Sequence, residues 1–406
     1  MEKLLLSRRP MKVLLVTPPM TQINTPYPAT AYLSGFLKQE KFSVRQRDLG
    51  LELFLKLFSR KGLEPVLKSL EPEAATQYLN TVEPVVRFLQ GKDPTLAYSI
   101  CRRGFLPEGP RFDVLKAWEK NGDGELYWAF GALGNADRAK YLASLYIDDL
   151  ADLIRETIDS RFELSRYAEK LAASAPSFDP LLKALDGSPT YVDCVLDELW
   201  EAVLKEEKPE VIGLSLPFPG NVYAAFRMAR LAKKIFPYIR IVVGGGYVNT
   251  ELRELQDPRV FDFWDYITLD DGEKPFLTLL QNFQKPEAPP RYLRTLVRET
   301  GKAVQKNDGL HDIPLKEAGV PTYDGLLLDQ YLSLNEGLNP MHRLWSDGRW
   351  NKLTLAHGCY WKKCSFCDTS LDYISRYEPQ GATLIVDRIE ALIRETGETG
   401  FHFVDE

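Results

Sequence analysis

Three cysteines lie close together in the stretch L-A-H-G-C-Y-W-K-K-C-S-F-C-D. Cys359, Cys364 and Cys367 have the spacing C-x4-C-x2-C, although the whole chain of 406 residues contains only five cysteines. A cluster of thiols in a sequence that is otherwise poor in cysteine is typical of a metal site. Thiolates bind zinc or the irons of an iron–sulfur cluster, and the origin of a fourth ligand decides between them.

Several metal sites could use these cysteines. A structural zinc site needs four ligands, and the candidate beside the cysteines is His357, which shares a face with Cys359 if both lie on an extended strand. A plant-type two-iron cluster uses this spacing but needs a fourth cysteine, and none follows Cys367. A four-iron cluster held by three thiolates would leave one iron open. Three thiols that bind no metal are the remaining alternative.

At this motif the sequence resembles the radical SAM superfamily. In that family three cysteines of one loop, after the first barrel strand, hold a 4Fe-4S cluster, and S-adenosylmethionine binds the fourth iron. The usual spacing is C-x3-C-x2-C, so this chain has one additional residue between Cys359 and Cys364. The resemblance implies that Phe366 packs near the adenine of S-adenosylmethionine. It also implies that Asp405 and Glu406, which end the second barrel strand, bind the amino end of that cofactor.

The elements that must position this loop belong to an α/β protein. Strand-like runs alternate with helical patterns at 13–16, 42–47, 211–216, 239–243 and 265–269. Short continuous apolar runs are expected of parallel strands covered on both faces, so they predict a Rossmann-like doubly wound parallel sheet. The pattern also predicts a strand at 352–356, a helix at 383–396 and a strand at 401–404. The resemblance implies that these are the first strands of a partial (β/α) radical SAM barrel.

These patterns divide the chain into predicted domains. Residues 1–50 and 209–285 form the Rossmann domain, and 51–208, where leucine, alanine and glutamate recur at helical spacing, form a large helical insertion. Residues 286–350 supply a hairpin and linker, and 351–406 the start of the barrel. A parallel sheet of two strands leaves its faces and an edge uncovered, so we expect an N-terminal portion of a longer enzyme or a truncated product.

Glycines and small polar residues follow the ends of the predicted strands. Ligands of open α/β sheets bind at this edge. The arrangement resembles the cobalamin-binding domain that precedes the barrel in one large radical SAM subfamily. The matching features are a Thr-Pro-Pro turn after the first strand, a Ser-x-Pro turn, three consecutive glycines and an Asp-Gly-Glu turn. The residues that this resemblance assigns to cobalamin are Thr17, Pro18, Ser215, Gly244, Gly245, Gly246, Gly272 and Glu273.

One position departs from related cobalamin domains. Those of methyltransferases and mutases carry Asp-x-His-x-x-Gly, whose histidine ligates cobalt from below. The nearest equivalent here is Asp48-Leu49-Gly50, with glycine in place of the histidine. Cobalamin would therefore bind without a lower ligand from the protein, or the domain binds no corrin, because a fold does not fix its ligand.

The resemblance implies an enzyme that reductively cleaves S-adenosylmethionine at the cluster and generates a 5′-deoxyadenosyl radical. Such an enzyme would methylate or rearrange an unactivated carbon of a small molecule or peptide, with cobalamin as a second cofactor. It would need an electron donor of the flavodoxin or ferredoxin type. The alternatives are a non-catalytic cobalamin- or cluster-binding carrier or sensor module, and a zinc-stabilised structural protein.

Composition excludes some other classes. The formal net charge is −6 and the isoelectric point is about 5.6, so the chain lacks the basic footprint of a nucleic-acid-binding protein. No apolar run approaches the ~18 residues of a membrane span. Cysteines that are few and clustered favour a reducing cytoplasm over a disulfide framework.

Overall fold

The computed structural model describes residues 10–120, 134–173, 177–335, 350–365 and 367–405. The strands are β1 (Lys12–Thr17), β2 (Ser43–Asp48), β3 (Phe162–Glu163), β4 (Arg166–Tyr167), β5 (Val211–Ser215), β6 (Arg240–Gly244), β7 (Tyr266–Thr268), β8 (Thr295–Glu299), β9 (Lys302–Lys306), β10 (Asn351–His357), β11 (Glu378–Pro379) and β12 (Phe401–Asp405). The α-helices are α1 (Ala29–Gln39), α2 (Leu49–Leu57), α3 (Arg60–Leu63), α4 (Pro72–Leu89), α5 (Leu96–Cys101), α6 (Asp113–Lys120), α7 (Gly134–Thr157), α8 (Glu169–Ala173), α9 (Asp179–Asp186), α10 (Tyr191–Glu207), α11 (Val222–Ile235), α12 (Gly246–Glu251), α13 (Glu273–Gln284), α14 (Asp372–Ser375) and α15 (Ala382–Thr396).

The main sheet has the strand order β2-β1-β5-β6-β7-β8-β9. The first five strands in this order are parallel, which confirms the predicted α/β class. The hairpin β8–β9, which the sequence places in the linker region, instead extends the sheet by antiparallel pairing with β7. Strand β2 lies on one side of β1 and strand β5 lies on the other. The chain therefore builds the sheet in opposite directions from this point. A ligand crevice is expected at this switch point.

The two faces of the sheet pack against different layers. Alternate residues of a strand point to opposite faces, and in β1 the side chains of Leu14 and Val16 join the core formed with the insertion and α11. Val13 and Leu15 join a second core with α1 and α13. Between β2 and β5 the chain forms helices α2 to α10 and the short hairpin β3–β4. Trp200 of this insertion is buried and donates its indole N–H to the carbonyl of Met228 at 2.9 Å.

The segment with the cysteines forms a smaller unit beside the sheet. Strand β10 pairs in parallel with β12, and β11 pairs with the other side of β10. Helix α15 covers this sheet and ends at Gly397, whose φ of 75° is the left-handed conformation typical of a helix end. The sequence therefore identified the strand, helix and strand of this region correctly.

Residues 321–326 of the linker, P-T-Y-D-G-L, bind the end of helix α15. The carboxylate of Glu395 accepts hydrogen bonds from the Thr322 hydroxyl at 2.5 Å and from the N–H groups of Tyr323 at 3.1 Å and Asp324 at 3.0 Å. Hydrogen bonds to an ionised acceptor are stronger than those between neutral groups. This contact fixes α15 against the linker.

None of the helices in the described ranges is both long enough and apolar enough to cross a membrane.

Candidate functional site

A cavity of about 440 Å³ lies at the carboxyl ends of the parallel strands, beside the switch point. Strands β5, β6 and β7 contribute Ser215, Gly244 and Thr268 to its wall. The loop after β1 contributes Tyr27, and the segment with the cysteines contributes His357. Its volume is in the range of sites that bind small molecules or part of a larger cofactor. The cavity therefore joins the sheet edge to the strand that leads into the cysteines.

The glycine turn lets the main chain form the cavity wall. Gly245 has a φ of 110°, and a Cβ there would lie 2.7 Å from the carbonyl oxygen of Leu216. Other residues would be strained in this conformation and would collide with the neighbouring strand end. Gly244 and Gly246 also line the cavity. The structure thus brings together the three glycines that the sequence assigned to a ligand site.

Ser215 places a hydroxyl without a partner in the cavity wall. Its side chain is 6% exposed, and no hydrogen-bond partner for Oγ lies among the described residues. A buried polar group that lacks a partner is costly, because it has lost its hydrogen bonds to water. A ligand that donates to or accepts from this hydroxyl would remove that cost.

Carboxylates of the turn before α13 line the opposite wall. The side chains of Asp270, Asp271 and Glu273 all border the cavity. Arg294 pairs with Asp270 at 3.0 Å and with Asp312 of the linker at 2.8 Å. No ion pair joins Glu273 to any cation in the described part of the chain. Burial and then the nearby Asp271 raise the pKa of Glu273, so it holds its proton more tightly than an exposed glutamate.

Arg376 connects this acidic wall to the cysteine loop. Its guanidinium forms an ion pair with Asp271 and lies 3.4 Å from Asp312. Burial raises the pKa of Asp271, and the neighbouring His357 and Arg376 oppose that change. His357 Nδ1 lies 3.8 Å from Asp271 Oδ1, so the imidazole faces the acidic wall.

The cysteine loop starts at the end of β10 and folds back on the segment around α14. The N–H of Cys359 donates to the carbonyl of Ile374 at 2.8 Å. Gly358 has a φ of 71°, and a Cβ there would lie 1.4 Å from the Arg376 carbonyl oxygen. The loop can therefore approach Arg376 only because glycine precedes the first cysteine.

The three thiols are free, half-buried and close enough to affect one another. Partial burial, followed by the neighbouring Cys364 and Cys359 thiols, raises the pKa of Cys367, which also shares a hydrogen bond with Cys364. Among the described residues, no three side chains of the His, Cys, Asp and Glu types converge in a geometry that could hold a metal ion. The thiols lie on one loop, but they are not arranged around a common point.

Several predicted site residues lie away from the cavity or outside the described residues. Thr17 is the last residue of β1 and Pro18 follows it, but neither lines the cavity. The Pro18 carbonyl accepts a hydrogen bond from the Asn221 amide at 2.6 Å. Phe366 and Glu406 lie outside the described residues, as does the side chain of Asp405. Gly272 and Glu273, which the resemblance assigns to cobalamin, line the cavity.

Gly50 follows β2 on the outer side of the sheet. A Cβ there would meet the backbone nitrogen and hydroxyl of Thr21 at 3.3 Å. The preceding Asp48 is buried and accepts hydrogen bonds from the N–H groups of Gly50 and Leu51, so it caps helix α2. The Asp48-Leu49-Gly50 sequence thus forms the N-terminal cap of helix α2, and none of its residues lines the cavity.

Sequence reasoning missed Arg376, Asp312 and Tyr373. Tyr373 lines the cavity from α14, and its ring lies 5.7 Å from the guanidinium carbon of Arg253. Nothing in the sequence indicates that Arg376 belongs to this site, because its partners in the acidic wall, Asp271 and Asp312, lie more than sixty positions away in the sequence. The one available hint is the density of charged residues after the last parallel strand.

Comparison with known proteins gives a distant sequence relative, and no family model matches the chain. The chain is 23% identical over 207 residues to an uncharacterized methyltransferase, PH0819, of Pyrococcus horikoshii. That match covers 50% of this chain and 41% of the relative, so the chain spans about two fifths of the relative's length.

The structural neighbours are cobalamin-binding radical SAM enzymes. One neighbour is the radical S-adenosylmethionine methyltransferase TsrM of Kitasatospora setae, with cobalamin and a [4Fe-4S] cluster bound. Its TM-score is 0.42 and its sequence identity is 12%, and the match covers 98% of this chain and 48% of the TsrM chain. TsrM with tryptophan and a SAM analog has a TM-score of 0.45, 12% identity and coverage of 97% and 47%. The cobalamin-dependent S-adenosylmethionine radical enzyme OxsB has a TM-score of 0.35 and 17% identity over 52% of this chain and 27% of its own.

Proposed function

We propose that this chain is a cobalamin-dependent radical SAM enzyme. Cys359, Cys364 and Cys367 would ligate a 4Fe-4S cluster that also binds S-adenosylmethionine, and the cavity at the sheet edge would bind cobalamin. The sequence relative described as a methyltransferase supports methyl transfer as the reaction class. The acceptor would be a small molecule or a peptide.

The observation that carries this proposal is the shared wall of the cavity. Ser215 and the three glycines approach it from the parallel sheet, and His357 approaches it from the strand that ends in the cysteine loop. Two cofactors that exchange a group must lie in adjoining sites, and proximity supplies much of the rate of such a step. The fold thus supports a corrin site and a cluster site that border one another.

The donor groups fit these cofactors in their chemistry. Three thiols on one loop suit iron–sulfur ligation, and His357, the candidate zinc ligand beside the cysteines, faces Asp271. The cavity offers the Ser215 hydroxyl, which has no hydrogen-bond partner among the described residues, and the carboxyl group of Glu273. These groups can pair with the amide side chains at a corrin periphery. When bound, the cluster supplies an electron to the sulfonium of S-adenosylmethionine, and cobalamin carries the methyl group.

The residues of this chain would exclude water from the cavity and hold its charged wall in place. The buried sheet edge excludes water from one side of the cavity, and the charged wall fixes Asp271 through Arg376. Arg294 holds Asp270 and Asp312, so the wall keeps its shape while a ligand enters.

Anaerobic reconstitution with iron and sulfide tests the proposal. The chain should gain iron and sulfide, show broad visible absorbance and consume S-adenosylmethionine in the presence of a reductant. Cys364→Ala should lose iron and absorbance. Cys194→Ala, which changes an exposed free thiol of helix α10, is the matched control and should retain both.

Other results would lead to a different function. Uptake of zinc without iron would refute the enzyme and indicate a structural metal. Uptake of hydroxocobalamin with a cluster that leaves S-adenosylmethionine intact would indicate a carrier or sensor module. Unchanged iron content in Cys364→Ala would refute the assigned ligand.

A further inference from the structure

The segment between the first two cysteines of the loop is an exposed aromatic and basic surface. Tyr360 is 71% exposed and Trp361 is 55% exposed, and Lys362 and Lys363 are also exposed. Tyr377, which is 42% exposed, lies beside them with its ring centroid 5.9 Å from that of Tyr360. We refer to these five residues as the loop tip.

The rings of the loop tip interact with one another and with a lysine, yet all three residues remain exposed to solvent. The Lys363 ammonium lies 5.5 Å from the centre of the Trp361 ring, within the range of a cation–π contact. Isolated exposed apolar residues are normal, but a contiguous group of large aromatic side chains marks an interaction site. Tyrosine and tryptophan are also among the residues that contribute most to binding energy at interfaces.

The charge of the loop tip opposes that of the whole chain. The chain has a formal net charge of −6, but no acidic residue occurs from 352 to 367, where Lys352, Lys362 and Lys363 lie. A small positive region on an acidic protein orients a negatively charged partner toward that region during diffusional encounter. The partner is therefore expected to have an acidic surface.

The position of the loop tip restricts what such a partner does. Tyr360 follows Cys359 directly and Lys363 precedes Cys364 directly, so a protein docked on the tip is next to two of the three cysteines. Electron transfer between redox centres falls steeply with distance, and encounters of this kind use small interfaces below about 1,200 Å². Five exposed side chains can form the centre of an interface of that size.

We infer that the loop tip is the docking surface for an acidic one-electron donor protein. This inference rests on the proposed function, because it requires a cluster at the cysteines. In the transfer, the donor is oxidised by one electron and the cluster is reduced by one electron, with no bond made or broken. Lys362 and Lys363 steer the encounter, and Trp361 and Tyr360 supply the contact area.

The test compares a protein reductant with a small reductant on the reconstituted chain. Flavodoxin hydroquinone is the probe, dithionite is the small reductant, and the loss of visible absorbance of the cluster gives the rate. In the double variant Lys362→Glu/Lys363→Glu, the rate with flavodoxin at low salt should fall by about tenfold or more, because charge reversal lowers the rate of encounter. The rate with dithionite should not change.

The matched control is Lys68→Glu/Lys285→Glu, which reverses two exposed lysines of the insertion and of the segment after α13. Its rate with flavodoxin should remain within about twofold of the wild-type rate, because salt screens the effect of charges that lie far from the docking surface. Equal iron content in all three proteins shows that the cluster site is intact.

Binding without the cluster provides an independent measurement. Titration calorimetry of flavodoxin with the iron-free chain should give a Kd that rises about tenfold in Trp361→Ala, since a buried tryptophan contact is often a hot spot. An unchanged Kd, or equal flavodoxin rates in the lysine variants, would overturn the inference. Dissociation of a dimer by Trp361→Ala in sedimentation would assign the tip to a second copy of the chain and would also overturn it. Failure of the wild-type chain to take up iron would instead refute the proposed function.

Discussion

Ser215 shows how a single side chain can indicate a ligand. It ends β5, lies almost entirely inside the protein, and has an Oγ without a partner among the described residues. An alanine would occupy nearly the same volume without a hydroxyl, so the hydroxyl itself requires an explanation. The position of the hydroxyl in the cavity wall supplies that explanation, because a bound molecule can form the missing hydrogen bond.

Ser215→Ala should weaken the binding of hydroxocobalamin by about fivefold, since one hydrogen bond contributes roughly 1 kcal/mol. Absorbance titration measures the change in Kd. Ser34→Ala is the control, because Ser34 also has a buried hydroxyl without a partner but does not line the cavity. Equal loss of affinity in both variants would show that Ser215 acts through stability and not through contact.

Asp48 gives the fold a pH dependence. It is buried, and the Tyr331 hydroxyl donates to its Oδ2 at 2.7 Å. Burial raises the pKa of Asp48 from 3.8 to about 6, against the opposing hydrogen bonds from Tyr331, Leu51 and Gly50. Because the folded state binds this proton more tightly than the unfolded state, Asp48 stabilises the fold most below about pH 4. That contribution, of about 3 kcal/mol, is lost as the pH rises through 6.

Asp48→Asn should remove this part of the pH dependence. The asparagine oxygen can still accept from the N–H groups of Gly50 and Leu51, and its NH₂ can donate to the Tyr331 oxygen, so the helix cap is retained. Urea unfolding from pH 4 to pH 7 should show a free energy of unfolding that declines less in the variant than in the wild type. Parallel curves for the two proteins would contradict the assignment.

At the scale of elements, the cysteine loop is held by contacts that cross from one sheet to the other. Strand β10 carries the loop, and α14 contacts it through the Ile374 carbonyl. Arg376, the residue after α14, extends its side chain to the main sheet. Arg376 in turn binds Asp271, which precedes helix α13 at the edge of the main sheet. The loop is therefore positioned by the neighbouring sheet as well as by its own strand.

Arg376→Met should loosen the loop without unfolding the sheet. The substitution removes the cation between Asp271 and Asp312, whose carboxylates are 20% and 14% exposed and would then repel each other. Amide hydrogen exchange of the peptide that contains Cys359 should become about tenfold faster, because local opening becomes easier. Exchange in β1 should not change.

Arg298→Met is the control for that experiment, because it removes an exposed ion pair with Asp262 outside the cavity. Surface ion pairs contribute little, so its exchange pattern should match the wild type. Faster exchange in both variants would show a general loss of stability, and unchanged exchange in Arg376→Met would refute the role given to this residue.

At the scale of the whole molecule, the two sheets differ in how much core supports them. The insertion, the main sheet and helix α11 share one continuous core, whereas the buried core of the cysteine segment contains Ala31, Tyr323, Leu353 and Leu392. Regions with few buried apolar contacts open at lower free energy than the main core. The protein should therefore open in two steps.

Native-state hydrogen exchange with increasing denaturant measures this order. Amides of β10 and β12 should exchange through openings of lower free energy than amides of β1 and β5. Identical opening free energies in both sheets would show a single cooperative unit.

The sequence predicts local features of this fold well and long-range ones poorly. The parallel strands are recognisable because continuous apolar runs such as 211–216 suit a strand covered on both faces. The sequence does not reveal that β8 pairs with β7, because the choice of a pairing partner depends on distant residues. The Asn221 side chain, directly before helix α11, makes no capping bond to that helix and instead donates to the carbonyls of Pro18 and Met20, which lie about two hundred positions earlier in the sequence.

In the candidate site, too, local features could be predicted from the sequence and long-range contacts could not. The three glycines and Ser215 were predictable, since their place at strand ends is a local property. The ion pairs of Arg294 and Arg376 were not, because a sequence does not show which of many carboxylates a long side chain will reach.

The hairpin β8–β9 has a further consequence for how this protein behaves at high concentration. It makes β9 the last strand of the main sheet, and β9 begins with Lys302 and ends with Lys306. At the other border, β2 carries Arg45 and Arg47. An exposed edge strand can pair with a strand of another chain. Basic side chains oppose that pairing, because they repel one another and are costly to dehydrate. Both borders of the sheet are therefore protected against the intermolecular strand addition that begins fibrous aggregation.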